Sequence, residues 1–150
     1  MFNMIESRLD LDGIRALDLF AGTGALGFEA VSRGASHIDF VESDSRAIAI
    51  AKLNAASLDP EMNAGFYQGD VFTWMKTQLE GQYQLILADP PYESGAASLL
   101  PSVVLPLLSS DGIFVLEHDR RVKMEGSVGF QTTRNYGKSA VSLFYPPILE

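Results

Sequence analysis

The sequence predicts an α/β fold: a doubly wound, mostly parallel sheet of seven strands that ends in an antiparallel hairpin. Three observations carry this. Short apolar runs alternate with stretches of helical period from Arg15 to Glu117. A glycine-rich turn, Ala21-Gly22-Thr23-Gly24-Ala25-Leu26-Gly27, joins the first apolar run to the first long helix. Near the end, Tyr136-Gly137-Lys138 separates two β-patterned runs as a hairpin turn would.

Taken in order, Phe2 to Leu9 carries apolar residues at two-turn helical spacing and is broken by Asp12-Gly13. Arg15 to Phe20 is a strand with a single acid, Asp18, inside it. The glycine turn then opens a helix that runs to Arg33-Gly34, where the glycine supplies the left-handed position past the helix end. Ile38 to Glu42 is a second strand, and Asp44 to Leu58 a helix with Ile48, Ala51, Ala55 and Leu58 on one face, stopped by Asp59-Pro60. Ala64 to Gln68 is a weaker third strand. Val71 to Leu79 is a short helix with Asp70 placed as its N-cap. Tyr83 to Asp89 is the fourth strand. Ser94 to Leu108 has a helical pattern interrupted by Pro101 and Pro106, which predicts a kink or a helix that begins at Pro101. Gly112 to Glu117 is the fifth strand, and Gly129 to Tyr136 and Ser139 to Tyr145 form the hairpin.

A chain of 150 residues is the size of one domain, spanning 1–150, and is long enough to bury a core. Eleven Lys and Arg against nineteen Asp and Glu give a net charge of −8, so any nucleic-acid partner would need a local basic patch. There is no cysteine, which excludes disulfides and thiolate metal sites. Met1 to Glu6 lacks a basic and then apolar leader pattern, and no apolar run approaches a membrane span. The expectation is a soluble cytoplasmic monomer without membrane association or a metal.

In doubly wound sheets, ligands bind beyond the carboxyl ends of the strands, where the strand order reverses. If the first and fourth strands are neighbours there, the glycine turn and Asp89-Pro90-Pro91-Tyr92 face one crevice. The two prolines fix φ and lack an N–H, so their carbonyls join no ladder and stay free as acceptors. A carboxylate, an outward carbonyl and a ring together suit a planar group bearing an NH2. Such an amine is a poor nucleophile because its lone pair is delocalised. Hydrogen bonds to Asp89 and the Pro90 carbonyl would favour a pyramidal nitrogen aimed at an electrophile, with Tyr92 stacked on the plane. The plainer reading of the same four residues is a stiff turn.

Gly22-x-Gly24-x-x-Gly27 has dinucleotide-fingerprint spacing. Glu42, 20 positions beyond Gly22, ends the next strand, where a carboxylate would accept from both ribose hydroxyls of an adenosine; otherwise it is a solvated strand end. Asp18 is a buried acid in need of partners. The N–H groups of the turn and a ligand's ammonium would supply them. Asp70 would accept from the adenine N6 while Val71 covers a face, and Asp70 equally serves as a plain cap. Acids placed for an adenosine with a cationic amino-acid tail fit S-adenosyl-L-methionine better than NAD, whose pyrophosphate would avoid Asp18.

Leu17-Asp18-Leu19-Phe20-Ala21-Gly22-Thr23-Gly24-Ala25-Leu26-Gly27, Glu29-Ala30, Ser32-Arg33-Gly34-Ala35, Phe40-Val41-Glu42, Asp89-Pro90-Pro91-Tyr92 and Arg134-Asn135-Tyr136-Gly137 together resemble the RsmD-type bacterial 16S ribosomal RNA guanine-N2 methyltransferases. The resemblance runs over nearly the whole chain. Its glycine and Asp-Pro-Pro-Tyr motifs are shared with many amino-methyltransferases; Ser32 to Ala35 and Arg134 to Gly137 are more particular. It implies a Rossmann-like methyltransferase that uses S-adenosyl-L-methionine and acts on 16S ribosomal RNA or the assembling small subunit, with Asp89, Pro90, Pro91 and Tyr92 at the target base. It implies cofactor contacts at Asp18, Phe20, Gly22, Gly24, Glu42 and Asp70, with Ala21, Thr23, Ser43 and Val71 beside them. It also implies a preceding basic, arginine-containing segment and a longer first helix, of which Phe2-Asn3 looks like the remnant. Adenine N6, a glutamine amide, or binding of the cofactor without turnover are the alternative readings.

Five of the eleven basic residues, Arg120, Arg121, Lys123, Arg134 and Lys138, fall in the last third, where the sheet places them beside the site. They would meet RNA phosphates, or pair with Glu117, Asp119 and Glu125 as a solvated loop. His37 and His118 read as structural or solvated, and Trp74 and Met75 as core.

Overall fold

The computed structural model describes residues 1–148. The chain runs α1 (Phe2–Glu6), β1 (Arg15–Leu19), α2 (Ala25–Ser32), β2 (His37–Glu42), α3 (Ser45–Leu58), β3 (Ala64–Gln68), α4 (Val71–Met75), β4 (Tyr83–Ala88), α5 (Ala96–Val104), β5 (Leu108–Asp119), β6 (Phe130–Tyr136) and β7 (Ser139–Phe144). Short 3-10 turns at Tyr92–Ser94 and Leu105–Leu107 flank α5. The sheet has seven strands in the order β3-β2-β1-β4-β5-β7-β6. The first five are parallel; β7 is antiparallel to β5 and β6 to β7. The order reverses between β1 and β4, which are paired with Leu19 opposite Ala88.

Alternation along the strands divides the apolar residues between two faces. Ala16, Ile38, Phe40, Leu85, Leu87 and Val115 lie under α1, α2 and α3. Leu17, Leu19, Val41, Ile86, Phe114 and Leu116 lie under α4 and α5. Each helix start is fixed locally. Asp44 accepts from the Arg46 N–H at 2.9 Å and opens α3; Asp70 accepts from the Thr73 N–H at 2.8 Å and opens α4, as its sequence position predicts. α2 has no cap on its own segment. Instead Asp18, inside β1, accepts from the Gly27 N–H at 2.9 Å. A side chain at Gly27 would meet the Phe40 ring at 2.4 Å, so the glycine lets α2 lie close on the sheet. Arg33 pairs with Glu29 on α2 and Glu6 on α1 and stacks 5.1 Å from the Phe2 ring, which fastens α1 down.

The structure departs from the sequence expectation in several places. The helix predicted around Pro101 and Pro106 is α5, which begins at Ala96 rather than at Pro101; the proline sits inside it. In a nine-residue helix the missing N–H forfeits only one bond, to Ala97, and the buried ring is core. β5 starts at Leu108, earlier than Gly112, because Ser109 to Gly112 bulge out between the pairs Tyr83–Leu108 and Leu85–Ile113 and break the apolar pattern. α4 ends at Met75 rather than Leu79, where the turn tightens to i→i−3 bonds from Thr77 and Gln78. α1 ends at Glu6 rather than Leu9. Phe20 leaves β1 and takes a left-handed φ of 57°. His118 is buried between Ser142 Oγ, 2.7 Å from Nε2, and the Asp119 carbonyl, 2.9 Å from Nδ1, a structural role. Met75 is core, and Trp74 packs against that core and the Tyr67 ring. Among the described residues no helix is long and apolar enough to cross a membrane.

One polar cluster was not foreseen. Asp39 is 3% exposed and accepts from the Tyr83 hydroxyl at 2.6 Å and His37 Nε2 at 2.8 Å, with Arg15 at 3.9 Å. Burial, then the Asp39 bond and charge, push the Tyr83 hydroxyl well above its usual range. Tyr83→Phe strips a buried carboxylate of its shortest partner and should lower stability by about 1–3 kcal/mol in denaturant unfolding; an unchanged midpoint at equal slope would show that Asp39 finds a replacement.

Candidate active site

The turn after β1 is shaped by three left-handed residues, Phe20, Gly22 and Gly24, with φ of 57°, 58° and 96°. They fold the backbone so that its N–H groups point toward β2. Ala21 N–H donates to the Val41 carbonyl at 3.1 Å, and Gly22 N–H to Glu42 Oε1 at 2.8 Å. Glu42 Oε2 accepts from Asp44 N–H at 2.8 Å. The Glu42 carboxylate therefore ties the glycine turn to the start of α3, and its remaining lone pairs are free for a ligand's hydroxyls. Thr23 is held by Asn54, whose Nδ2 donates to its carbonyl at 3.2 Å, and Ser43 by Gln68 Nε2 at 3.1 Å. A side chain at Gly22 would meet nothing within 4 Å, so the turn is open on that side.

Asp18 lies beneath the turn, 1% exposed. Burial drives its carboxyl well above the usual range; the Gly27 N–H opposes this, and the charges of Asp89 and Glu42 add to it. A cation above the turn would relieve three carboxylates at once. Asp70 keeps one carboxylate oxygen free, since Thr73 N–H and Oγ1 both bond Oδ2, and these bonds hold its carboxyl below the usual range. Val71, expected over an adenine face, is 3% exposed and belongs to the core. Glu42, Asp70 and Asp18 are the acids that could hold an adenosine with an ammonium-bearing tail, though of the three only Glu42 lines the cleft across the β1–β4 pair.

Across the β1–β4 pair, a cleft of about 400 Å³ is lined by Phe20, Glu42, Ser43, Asp89, Pro90, Pro91, Tyr92 and Glu117. The strand adjacency expected from the sequence is present and the cleft brings Phe20, Glu42 and Ser43 together with the Asp89–Tyr92 platform, but no glycine of the turn, nor Asp18 or Asp70, lines it. One detail is corrected: the Pro91 carbonyl is not free but accepts from Ser94 N–H at 3.2 Å and Ser94 Oγ at 2.8 Å. Among the described residues the Pro90 carbonyl takes no protein donor. Tyr92 is 44% exposed, and its hydroxyl bonds Ser139 Oγ at the start of β7, so the ring is held from the far side of the cleft.

Glu117, near the end of β5, also lines the cleft, where the sequence offers it only as a partner for surface cations. Burial first, then the adjacent Glu117 carboxylate, push Asp89 up to about 7. The signal was present: every parallel strand ends at or near an acid, Asp18, Glu42, Asp70, Asp89 and Glu117. Of the basic residues, Arg121 pairs with Asp119 at 2.6 Å, which holds that carboxyl down at about 2. Arg120 donates to the Gly137 carbonyl at 3.0 Å, tying its loop to the hairpin turn. Lys123, Arg134 and Lys138 are exposed and form no ion pair among the described residues. A second, mainly apolar hollow of about 910 Å³, lined by Gly81, Leu105 and Val128 among others, shares no lining residue with this cleft.

The family model described as conserved hypothetical protein 95 matches residues 1–145. YlbH of Bacillus subtilis, named as an rRNA methyltransferase, is 36% identical over 151 aligned positions that span 96% of this chain and 81% of that protein. Ribosomal RNA small subunit methyltransferase D of Buchnera aphidicola is 35% identical over 81 residues, 54% of this chain and 42% of that one. Matches also extend to a tRNA adenine-N6 methyltransferase of Klebsiella pneumoniae, 32% identical over 51% of the chain and 31% of that protein, and to a protein of Methanocaldococcus jannaschii named for N5-glutamine methylation, 27% identical over 59% and 42%. Among solved structures, the Escherichia coli protein YhhF superposes with a TM-score of 0.82 at 22% identity, covering 97% of this chain and 81% of that one. An RNA methyltransferase of Salinibacter ruber in complex with S-adenosyl-L-homocysteine superposes at 0.75 with 19% identity, covering 97% and 89%. Both share the Rossmann-like methyltransferase fold.

The raised Asp89 carboxyl makes a signed prediction about stability. Between the unfolded carboxylate range near about 4 and the folded value near 7, the native state binds the extra proton, so stability falls as pH rises through that window. Asp89→Asn carries no charge at any pH. Its melting temperature should match wild type near pH 4 and exceed it increasingly up to about pH 8; a constant difference across the range would mean that Asp89 titrates normally.

Proposed function

The chain belongs to the conserved hypothetical protein 95 family, the RsmD-type methyltransferases, and on that footing we propose that it moves a methyl group from S-adenosyl-L-methionine to the N2 amine of a guanine in 16S ribosomal RNA. The observation that carries this reading is the single cleft in which the Asp89-Pro90-Pro91-Tyr92 platform meets the Glu42 end of the glycine turn. The RNA or the assembling small subunit is the partner. The protein acts as a cytoplasmic monomer, and Arg120, Lys123, Arg134 and Lys138 are its phosphate-facing cations.

Glu42 binds the ribose hydroxyls, Asp70 the adenine amine, and Asp18 with the Phe20–Gly24 turn the amino-acid tail; Ser43 borders the ribose. Bound S-adenosyl-L-methionine supplies a methyl group on a sulfonium, an electrophile. Asp89 and the Pro90 carbonyl accept the two amine hydrogens, which localises the lone pair, and Tyr92 fixes the plane of the base. Pro91 keeps the platform rigid through its bonds with Ser94. The nitrogen sheds one proton as it gains the methyl group. Asp89, half-ionised near neutral pH, is matched to take it. Adenine N6 and a glutamine amide pose the same problem, and both occur as acceptors in the names of matching proteins. Incubation with methyl-labelled cofactor and 16S RNA fragments or assembling subunits should place label in N2-methylguanosine after nucleoside digestion; label in N6-methyladenosine or in protein overturns the choice of acceptor.

Two substitutions separate the roles. Glu42→Ala should weaken cofactor binding by about ten- to a hundredfold in calorimetry, the value of hydrogen bonds to a charged group; unchanged affinity removes Glu42 from the cofactor site. Asp89→Ala should keep cofactor affinity within about a few-fold while kcat collapses, because its bonds are made to the reacting amine. Loss of cofactor with turnover retained at saturation would reverse that assignment.

A further inference from the structure

β4 and β5 are parallel neighbours with Ala88 opposite Leu116, so the next residues in register are Asp89 and Glu117, on strands about 4.8 Å apart. Both carboxylates line the cleft with Tyr92. The two carboxyls hydrogen-bond each other, and among the described residues neither stands in an ion pair. With the Pro90 carbonyl, the cleft therefore presents three acceptor groups to which, among the described residues, no N–H or hydroxyl of the protein donates.

We propose that Glu117 accepts the N1–H of the target guanine beside Asp89 and Pro90 at its N2 amine, and so selects guanine over any amine flanked by acceptors. This rests on the methyl-transfer reading above. Guanine offers three donors on one edge, N1–H and the two N2 hydrogens, and they match three acceptors one for one. Adenine's amine has a bare ring nitrogen on either side, and a glutamine amide has its own carbonyl oxygen. Each would turn a lone pair toward Glu117, and that repulsion is a source of selectivity in its own right. A site built to accept from a substrate N–H discriminates against an analogue without it, because the acceptor, half-buried in the case of Glu117, is covered by the base and left unpaired. The crowding of Asp89 by Glu117 is consistent with this. In the free protein burial and the Glu117 charge disfavour the ionised form of Asp89, and a base with adjacent donors would bridge the two carboxyls.

The probe is 2-aminopurine, which keeps the amine at C2 but has a bare N1. The methylated guanine is mapped with labelled cofactor, and the same RNA is then made with 2-aminopurine there. Wild type should lose about ten- to a hundredfold in kcat/KM on the analogue. Glu117→Gln, whose amide can donate to a bare N1, should fall on guanine and rise on 2-aminopurine, so the ratio of the two closes. Comparing ratios cancels the missing O6 of the analogue, and a merely structural role for Glu117 would lower both substrates alike. Retained S-adenosyl-L-homocysteine affinity confirms that the variant is folded. A ratio unchanged in Glu117→Gln overturns the assignment while guanine methylation stands. Wild-type label on adenine or on a glutamine amide removes both readings together.

Discussion

The pairing of β1 with β4 is the constraint on which the site depends. Parallel strands hydrogen-bonded in register deliver their carboxyl ends at one level, and here Leu19 lies opposite Ala88. The next residues on each side are Phe20, which starts the glycine turn, and Asp89, which starts the platform. A shift of one residue in that ladder would turn every apolar side chain of β4 to the other core, so register is fixed by the two cores as much as by the backbone bonds. The rigidity of the cleft follows from the least deformable part of the protein.

Acids crowd the carboxyl end of this sheet, and each is accommodated differently. Asp18 is buried and uses the Gly27 N–H at the first turn of α2, where the helix dipole also favours negative charge. Glu42 is spent partly on backbone N–H groups that shape the turn. Asp70 caps α4. Asp89 has no such backbone partner, and burial first, then the neighbouring Glu117 carboxylate, hold its carboxyl above the usual range. The gradient runs from groups the fold satisfies to groups it leaves for a ligand.

The net charge of −8 sets the problem of reaching an RNA, and the distribution of cations answers part of it. Arg121 is occupied by Asp119 and Arg120 holds its loop against the hairpin turn. That loop and the β6–β7 turn thereby form one unit next to Ser139, whose hydroxyl holds Tyr92.

The sequence by itself determined the α/β class, the strand count, the hairpin and both motifs of the cleft, because each is written in local patterns: apolar alternation, helical period, glycine spacing and a proline pair. It also placed Asp44 and Asp70 at helix starts, since capping acts within three residues. What it could not reach were features made by partners distant in the chain. The bulged start of β5 is visible only against β4. The buried Asp39–Tyr83 bond joins residues 44 positions apart, and neither has a local signal. Pro101 inside α5 is tolerated because its ring is buried in the core beneath that helix. Glu117 becomes a site residue only because β5 lies beside β4 and brings its carboxylate next to Asp89. Strand adjacency in a parallel sheet is a global choice among crossovers, so the chemistry that depends on neighbouring strand ends was decided by the tertiary structure.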